Sequence, residues 1–296
     1  MEQVLTLIAP AHAPLSGSEV ARARDAMEAV GGQTLPPDWL AAGIAADIAY
    51  AGLDPDQAQE AARAAVDSNR DVIAQATHAR RKRLLVADMD STIVTAETLD
   101  ELAAFAGLKE RIAAITARAM NGELDFASAL RERVAMLKGL PTDALEKTWA
   151  AIELTPGART LVATMRGHGA FCALVSGGFT FFTGRVRALV GFDLDQANVL
   201  EVANGRLAGT VAEPILDRDA KLATLRLLAA RQGLALVEAC TVGDGANDLP
   251  MLQAAGLGVA FRAKPSVAAA ARVRVDHGDL TALLYAQGFR APEFRA

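Results

Sequence analysis

Residues 83–97, RLLVADMDSTIVTAE, constrain the fold more than any other stretch of this chain. Leu84, Leu85, Val86 and Ala87 form an apolar run without polar alternation, the pattern of a parallel strand buried on both faces. The run stops on Asp88, and Asp90 follows two residues later. In open α/β sheets the ligand crevice lies beyond the carboxyl ends of the strands, so a strand ending in Asp-x-Asp delivers acid groups to that crevice. Ser91 and Thr92 add hydroxyls beside them.

Two more buried strands are predicted to end at the same crevice. Phe171 to Val175 runs into Ser176-Gly177-Gly178, and Val237 to Val242 runs into Gly243-Asp244, with Asn247 and Asp248 close behind. Lys221 falls in the first turn of a helix predicted from Asp217 to about Gln232. Carboxylate and carbonyl oxygens suit Mg²⁺, which keeps waters and phosphate oxygens around few protein ligands. A Ser-Gly-Gly turn offers a hydroxyl and backbone N–H groups to phosphate at a helix start, and a lysine supplies a point charge. Taken singly, each residue has an ordinary explanation as a cap, a turn or a surface charge. Their order and spacing together favour chemistry: Asp88 as nucleophile on phosphorus, and Asp90 as the acid that protonates the leaving alkoxide and then activates water.

Between the acid strand and Leu154 lies a helical region, Thr98 to about Trp149, with apolar residues at helical spacing such as Leu99, Leu102 and Phe105. A simple crossover needs about a dozen residues or more. Some fifty predict an inserted helical cap, about 98–153, that covers the crevice. Strands at Leu257 to Phe261 and Val273 to Val275 complete the sheet, and Asn204-Gly205 predicts a hairpin within 198–213.

Upstream, residues 1–78 read as a small alternating β-α-β-α-β unit compatible with an α+β sandwich. The segment His78 to Arg83, HARRKR, reads as a solvated junction between this unit and an α/β domain over 79–296. With 296 residues, 52% of them hydrophobic, the chain can form one large domain and a smaller companion. A net charge of -5 argues against a nucleic-acid or anionic-membrane surface. Cys172 and Cys240 sit in separate apolar runs and read as free core thiols of a reducing compartment. Glu2 stands where a signal peptide needs positive charge, and the longest alanine-rich run is too short to span a bilayer, so a cytoplasmic location is expected.

The motifs DMDST at 88–92, SGG at 176–178, Lys221 and GDGAND at 243–248 resemble the four ordered motifs of the haloacid dehalogenase superfamily of phosphohydrolases. Within it the likeness is greatest to the phosphoserine phosphatases. The resemblance covers about the last seven-tenths of the chain, from Leu84 onward, and implies a Rossmann-like parallel sheet with a helical cap, beside which the N-terminal unit of residues 1–78 would be an ACT-like or ferredoxin-like domain of regulatory character. It implies hydrolysis of O-phospho-L-serine, the last step of L-serine biosynthesis, through an aspartyl-phosphate. It implies Mg²⁺ bound by the carboxylates of Asp88 and Asp244 and the backbone carbonyl of Asp90. Glu97 and Arg133 would recognise the amino-acid end of the substrate, complementary to its ammonium and carboxylate. Met120 and Phe126 would supply an apolar cover. Ser176, Gly177, Lys221 and Asn247 fall on phosphate-contacting positions. The partner is a small molecule, and a homodimer is compatible with this reading. The rival readings are a related enzyme on another small phosphate ester and a phospho-acceptor signalling domain that does not turn over.

Overall fold

A computed structural model describes residues 1–120 and 123–296. Its centre is a six-stranded, all-parallel sheet in the order 273–275, 257–261, 239–243, 84–87, 171–179, 194–198. The strand Leu84–Ala87 is central and fully buried, which explains its unbroken apolar run. Its following strand, Phe171–Phe179, pairs on one side, while Ala239–Gly243 pairs on the other. The chain therefore reverses its direction of strand addition at Leu84–Ala87, and the crevice opens at that switch point. Sequence reasoning missed the edge strand Leu194–Asn198, whose residues are mostly half-buried and carry no apolar run.

Among the described residues the cap consists of four helices, Thr98–Phe105, Lys109–Met120, Phe126–Met136 and Asp143–Ala150. It enters and leaves through two short extended legs that pair with one another. Val94 bridges Leu154, Thr95 N–H donates to the Glu153 carbonyl, and Thr155 N–H donates to that of Ile93. A second excursion, the hairpin Leu200–Ala203 and Arg206–Val211, reaches up to the cap. Leu207 exchanges backbone hydrogen bonds with Gly139 and Leu140 there, so the cap is buttressed from a distant part of the chain. Asn204 and Gly205 both have positive φ, as a two-residue hairpin turn requires.

The N-terminal residues form a separate antiparallel sheet in which Ala45–Ala51 and Asp71–Ala76 flank Gln3–Ile8. Gln33–Thr34 and Asp38–Ala41 extend it beside Ala45–Ala51. These two short pieces were not expected from sequence, because Pro36 and Pro37 interrupt any strand pattern. One face of the sheet, through Leu5, Leu7, Ile48, Tyr50 and Val72, packs on helices Gly17–Ala29 and Pro55–Ala65. The first helix is capped by Ser16, whose hydroxyl accepts from Glu19 N. The other face, through Ile8, Ala45 and Ile73, joins the main core against Leu280, Leu283 and Leu284.

The 78–83 junction differs from the solvated linker expected of HARRKR. Arg80 donates to both carboxylate oxygens of buried Asp47 at 2.6 and 2.8 Å, and its Nε donates to the Ala286 carbonyl at 2.9 Å. Lys82 is buried, with Nζ on the carbonyls of Ala79 and Val237. Basic residues serve here as hydrogen-bond donors to groups buried where two sheets meet, a role that composition does not distinguish from solvation. Cys172 and Cys240 are both buried free thiols, as expected.

Candidate active site

Strand pairing sets the site. Ala87 lies level with Leu174 on one neighbour and Val242 on the other, so Asp88 leaves the sheet beside Val175 and Gly243. Asp88 N–H donates to the Val242 carbonyl, and its Oδ1 accepts from Met89 N at 2.8 Å. The backbone then coils into a tight turn over Met89–Ile93 in which Ser91 takes φ 53 and ψ 6. That left-handed conformation is uncommon for a residue with a Cβ. Ser91 Oγ donates to Glu97 Oε1 at 2.9 Å, and Ser91 N–H donates to the Ala96 carbonyl.

Asp90 is held at both carboxylate oxygens: Oδ1 accepts from Thr98 N at 2.8 Å and Oδ2 from Ser176 Oγ at 3.2 Å. Burial, reinforced by the nearby charge of Glu97, pushes its carboxyl up to about 6. A carboxyl so placed is close to isoenergetic between acid and base near neutrality, which suits proton transfer in both directions.

Opposite stand Asp244 and Asp248 on the turn after Ala239–Gly243. Carboxylate oxygens of Asp88, Asp244 and Asp248 lie within 4.8 Å of one another, and all three residues are buried. Lys221, 1% exposed, spans two of them, with Nζ 2.8 Å from Asp88 Oδ1 and 2.6 Å from Asp248 Oδ1. Burial works against its charge, but Asp88 and Asp248 outweigh that and raise its pKa. Lys221, with exposed Lys264 4.0 Å from Asp244 Oδ2, faces three buried carboxylates, which leaves net negative charge. Burial together with Asp248 drives Asp88 well above the usual carboxylate range, and burial with the same neighbour pushes Asp244 up to about 6. An all-oxygen cluster with uncompensated charge fits a divalent cation.

Asp248 is the residue to which sequence reasoning assigned no role. It is fully buried, accepts from Gly245 N at 3.0 Å, and anchors Lys221. The signal was an acid directly ahead of the apolar LPML segment, which reads as an ordinary helix start. Gly243 is required beneath it, since a Cβ there would overlap the Asp248 carboxylate.

The cap contributes the remaining predicted residues. Phe126 lies over the Ser-Gly-Gly turn, where a Cβ on Gly177 would sit 3.0 Å from its Cζ. Gly178 N–H donates to Ser176 Oγ at 2.9 Å. Arg133 is half-buried, and its Nε donates to the Ala129 carbonyl at 3.2 Å. Burial depresses its pKa while Asp100 and Glu97 oppose that, so it faces acidic groups without pairing among the described residues. Glu97 is exposed at the head of the first cap helix. Asn247 is half-buried, its side chain folded against Gly245. The Met120 side chain lies outside the described residues.

A family model described as haloacid dehalogenase-like hydrolase matches residues 85–253, more than half of the chain. The chain belongs to the haloacid dehalogenase-like hydrolases. As such a hydrolase it is 44% identical over 257 residues to a phosphoserine phosphatase of Streptomyces coelicolor, covering 85% of this chain and 62% of that protein. It is 47% identical over 199 residues to the phosphoserine phosphatase of Streptococcus thermophilus, 67% of this chain and 93% of that one. The crystal structure of a probable phosphoserine phosphatase from Vibrio cholerae superposes with a TM-score of 0.80 at 31% identity, over 99% of this chain and 88% of that one. The hydrolase thus spans less than two-thirds of the Streptomyces relative but nearly all of the Streptococcus one. Among the described residues, no helix is long and apolar enough to cross a membrane.

Proposed function

We propose that this hydrolase is an Mg²⁺-dependent phosphatase that converts O-phospho-L-serine to L-serine and phosphate, the closing step of serine biosynthesis, in the cytoplasm. The observation that carries the reading is the pairing of Asp88, tied to Lys221, with Asp90, tied to Ser176, at the switch point of the sheet beneath a cap that brings Phe126 over Gly177. The named relatives in Streptomyces and Streptococcus carry the same activity in their descriptions.

In this reading an Asp88 carboxylate oxygen attacks phosphorus in line with the serine oxygen. The phosphorus–oxygen bond to serine breaks, and Asp90 gives its proton to the departing alkoxide. Asp90, now a carboxylate, takes a proton from a water that attacks the phosphoaspartate, which restores Asp88 and releases phosphate. Ser176, the Gly177 N–H, Lys221 and Asn247 hold the phosphoryl oxygens. Mg²⁺ would be held by Asp88, the Asp90 carbonyl and Asp244, and it supplies charge neutralisation for the phosphoryl group. Glu97 takes the substrate ammonium and Arg133 its carboxylate, under a cover from Phe126 and Met120.

The test is release of inorganic phosphate from L-phosphoserine with and without Mg²⁺, with Asp88→Asn as the control. Multiple turnover that needs the metal and vanishes in the variant is expected. Absence of repeated turnover on any phosphomonoester would overturn the enzyme reading, and preference for an ester lacking the amino acid would overturn the substrate.

A further inference from the structure

The Streptococcus relative aligns with only 67% of this chain yet almost in full, so a phosphatase of this kind exists on little more than the catalytic region. The N-terminal sheet of the present chain must therefore be explained by what it touches. Its outer strand ends the contact with Asp71, 3% exposed, whose carboxylate accepts three consecutive backbone N–H groups: Asp276 at 2.8 Å, His277 at 3.2 Å and Gly278 at 2.7 Å. A buried carboxylate that receives three main-chain donors holds a loop in one shape. From the opposite side Arg262 Nη2 donates to the Gly278 carbonyl at 3.0 Å.

That loop continues directly onto the hinge of the cap. Leu280 N–H donates to the Pro156 carbonyl at 3.1 Å. Gly157, with φ +85, packs so closely that a Cβ would lie 2.8 Å from Thr281 N and 3.1 Å from Leu280 N. Pro156 and Gly157 are the residues immediately after the returning leg, where Leu154 bridges Val94 and Thr155 donates to Ile93. Leu280 itself is fully buried in the core that holds Ile93 and Val94. The route is contiguous: Asp71, residues 276–281, Pro156-Gly157, then the paired legs of the cap.

We propose that Asp71 is a positioning residue through which the N-terminal domain braces the cap hinge, setting how the cap closes over Asp88 and Asp90. The catalytic part of this statement rests on the phosphatase reading above; the mechanical part does not. Loss of the Asp71 acceptor frees three N–H groups and lets the loop, and with it the 153–157 leg, open locally without unfolding the sheet.

The test is amide hydrogen exchange on the full chain, comparing wild type with Asp71→Ala, which removes both acceptor oxygens, and separately with Gly157→Ala, which presses on the same contact from the hinge side. Exchange at residues 93–95, 153–155 and 157 should accelerate by about tenfold, equivalent to about 1.4 kcal/mol of local opening, while strands 84–87 and 239–243 keep their protection. In steady state the variants should show a raised KM for phosphoserine with kcat changed far less. If exchange accelerates only within the N-terminal sheet, or the hinge is unchanged in both variants, the bracing role is wrong. Hinge acceleration in a protein whose wild type does not turn over phosphoserine would instead sink the functional reading and leave the coupling standing.

Discussion

Substitution of Ser91 separates backbone strain from side-chain function at one position. Its φ of 53 and ψ of 6 place an L-residue in the left-handed region, at a cost of roughly 1–2 kcal/mol. Glycine relieves that cost but loses about 0.5–1 kcal/mol through the freedom of its unfolded chain. Both Ser91→Gly and Ser91→Ala forfeit the bond to Glu97 Oε1, a net loss of about 0.5–1.5 kcal/mol. Glycine should therefore match the wild type within about 1.5 kcal/mol and exceed alanine by up to about 1.5 kcal/mol, a difference in Tm of up to about 6 °C. In an ordinary helix or strand the order is reversed, since alanine is then the more stable by about 0.5–1 kcal/mol. Thermal unfolding of the two variants reads the sign directly. On the proposed role of Glu97 in substrate binding, both variants lose the hydroxyl that holds it, so KM for phosphoserine should rise in both by about two- to tenfold. Alanine more stable than glycine would refute the strain argument, and unchanged KM in both would refute the role of the hydroxyl.

Three further outcomes follow from named contacts. Burial raises Glu19, but the bidentate Arg70 bond and the Asp67 N–H outweigh it and leave the pKa lowered, so its stabilisation is present above the unfolded carboxylate range near about 4.3 and is lost as pH falls through the lower folded value. The Tm gap between wild type and Glu19→Gln should thus be open at neutral pH and close in acid; a gap constant with pH would contradict it. On the proposed role of Arg133, Arg133→Ala should cost about 2–5 kcal/mol in kcat/KM for phosphoserine by leaving the substrate carboxylate unpaired, and far less for a phosphate ester without one; equal losses on both would remove Arg133 from recognition. Asp244→Asn removes one of three clustered carboxylates, and calorimetry should show Mg²⁺ binding weakened together with activity; an unchanged Mg²⁺ isotherm would mean that the ion sits elsewhere.

The catalytic half of the fold was legible because its signals are local. An apolar run ending in Asp-x-Asp, a second ending in Ser-Gly-Gly and a third ending in Gly-Asp-Gly each declare a buried strand and its functional mouth within ten residues. The span Leu257–Phe261 came out at its observed limits because burial on both faces leaves an unbroken pattern. The half-buried edge strand Leu194–Asn198 left no such trace. Neither did Gln33–Thr34 and Asp38–Ala41, which are too short for a period to show.

Charged residues mark the boundary between what a sequence determines and what it leaves to tertiary structure. Residue order by itself established the sheet, the inserted cap, the acids at the strand ends and the lysine that answers them, because hydrophobic periodicity and motif spacing are carried by the chain itself. Whether Arg80 meets water or Asp47, whether Asp248 caps a helix or grips Lys221, and whether Asp71 is a surface acid or the brace of a loop two hundred residues away were decided only on folding. A charge takes its meaning from its partner and from the water removed around it, and both are supplied by segments distant in sequence.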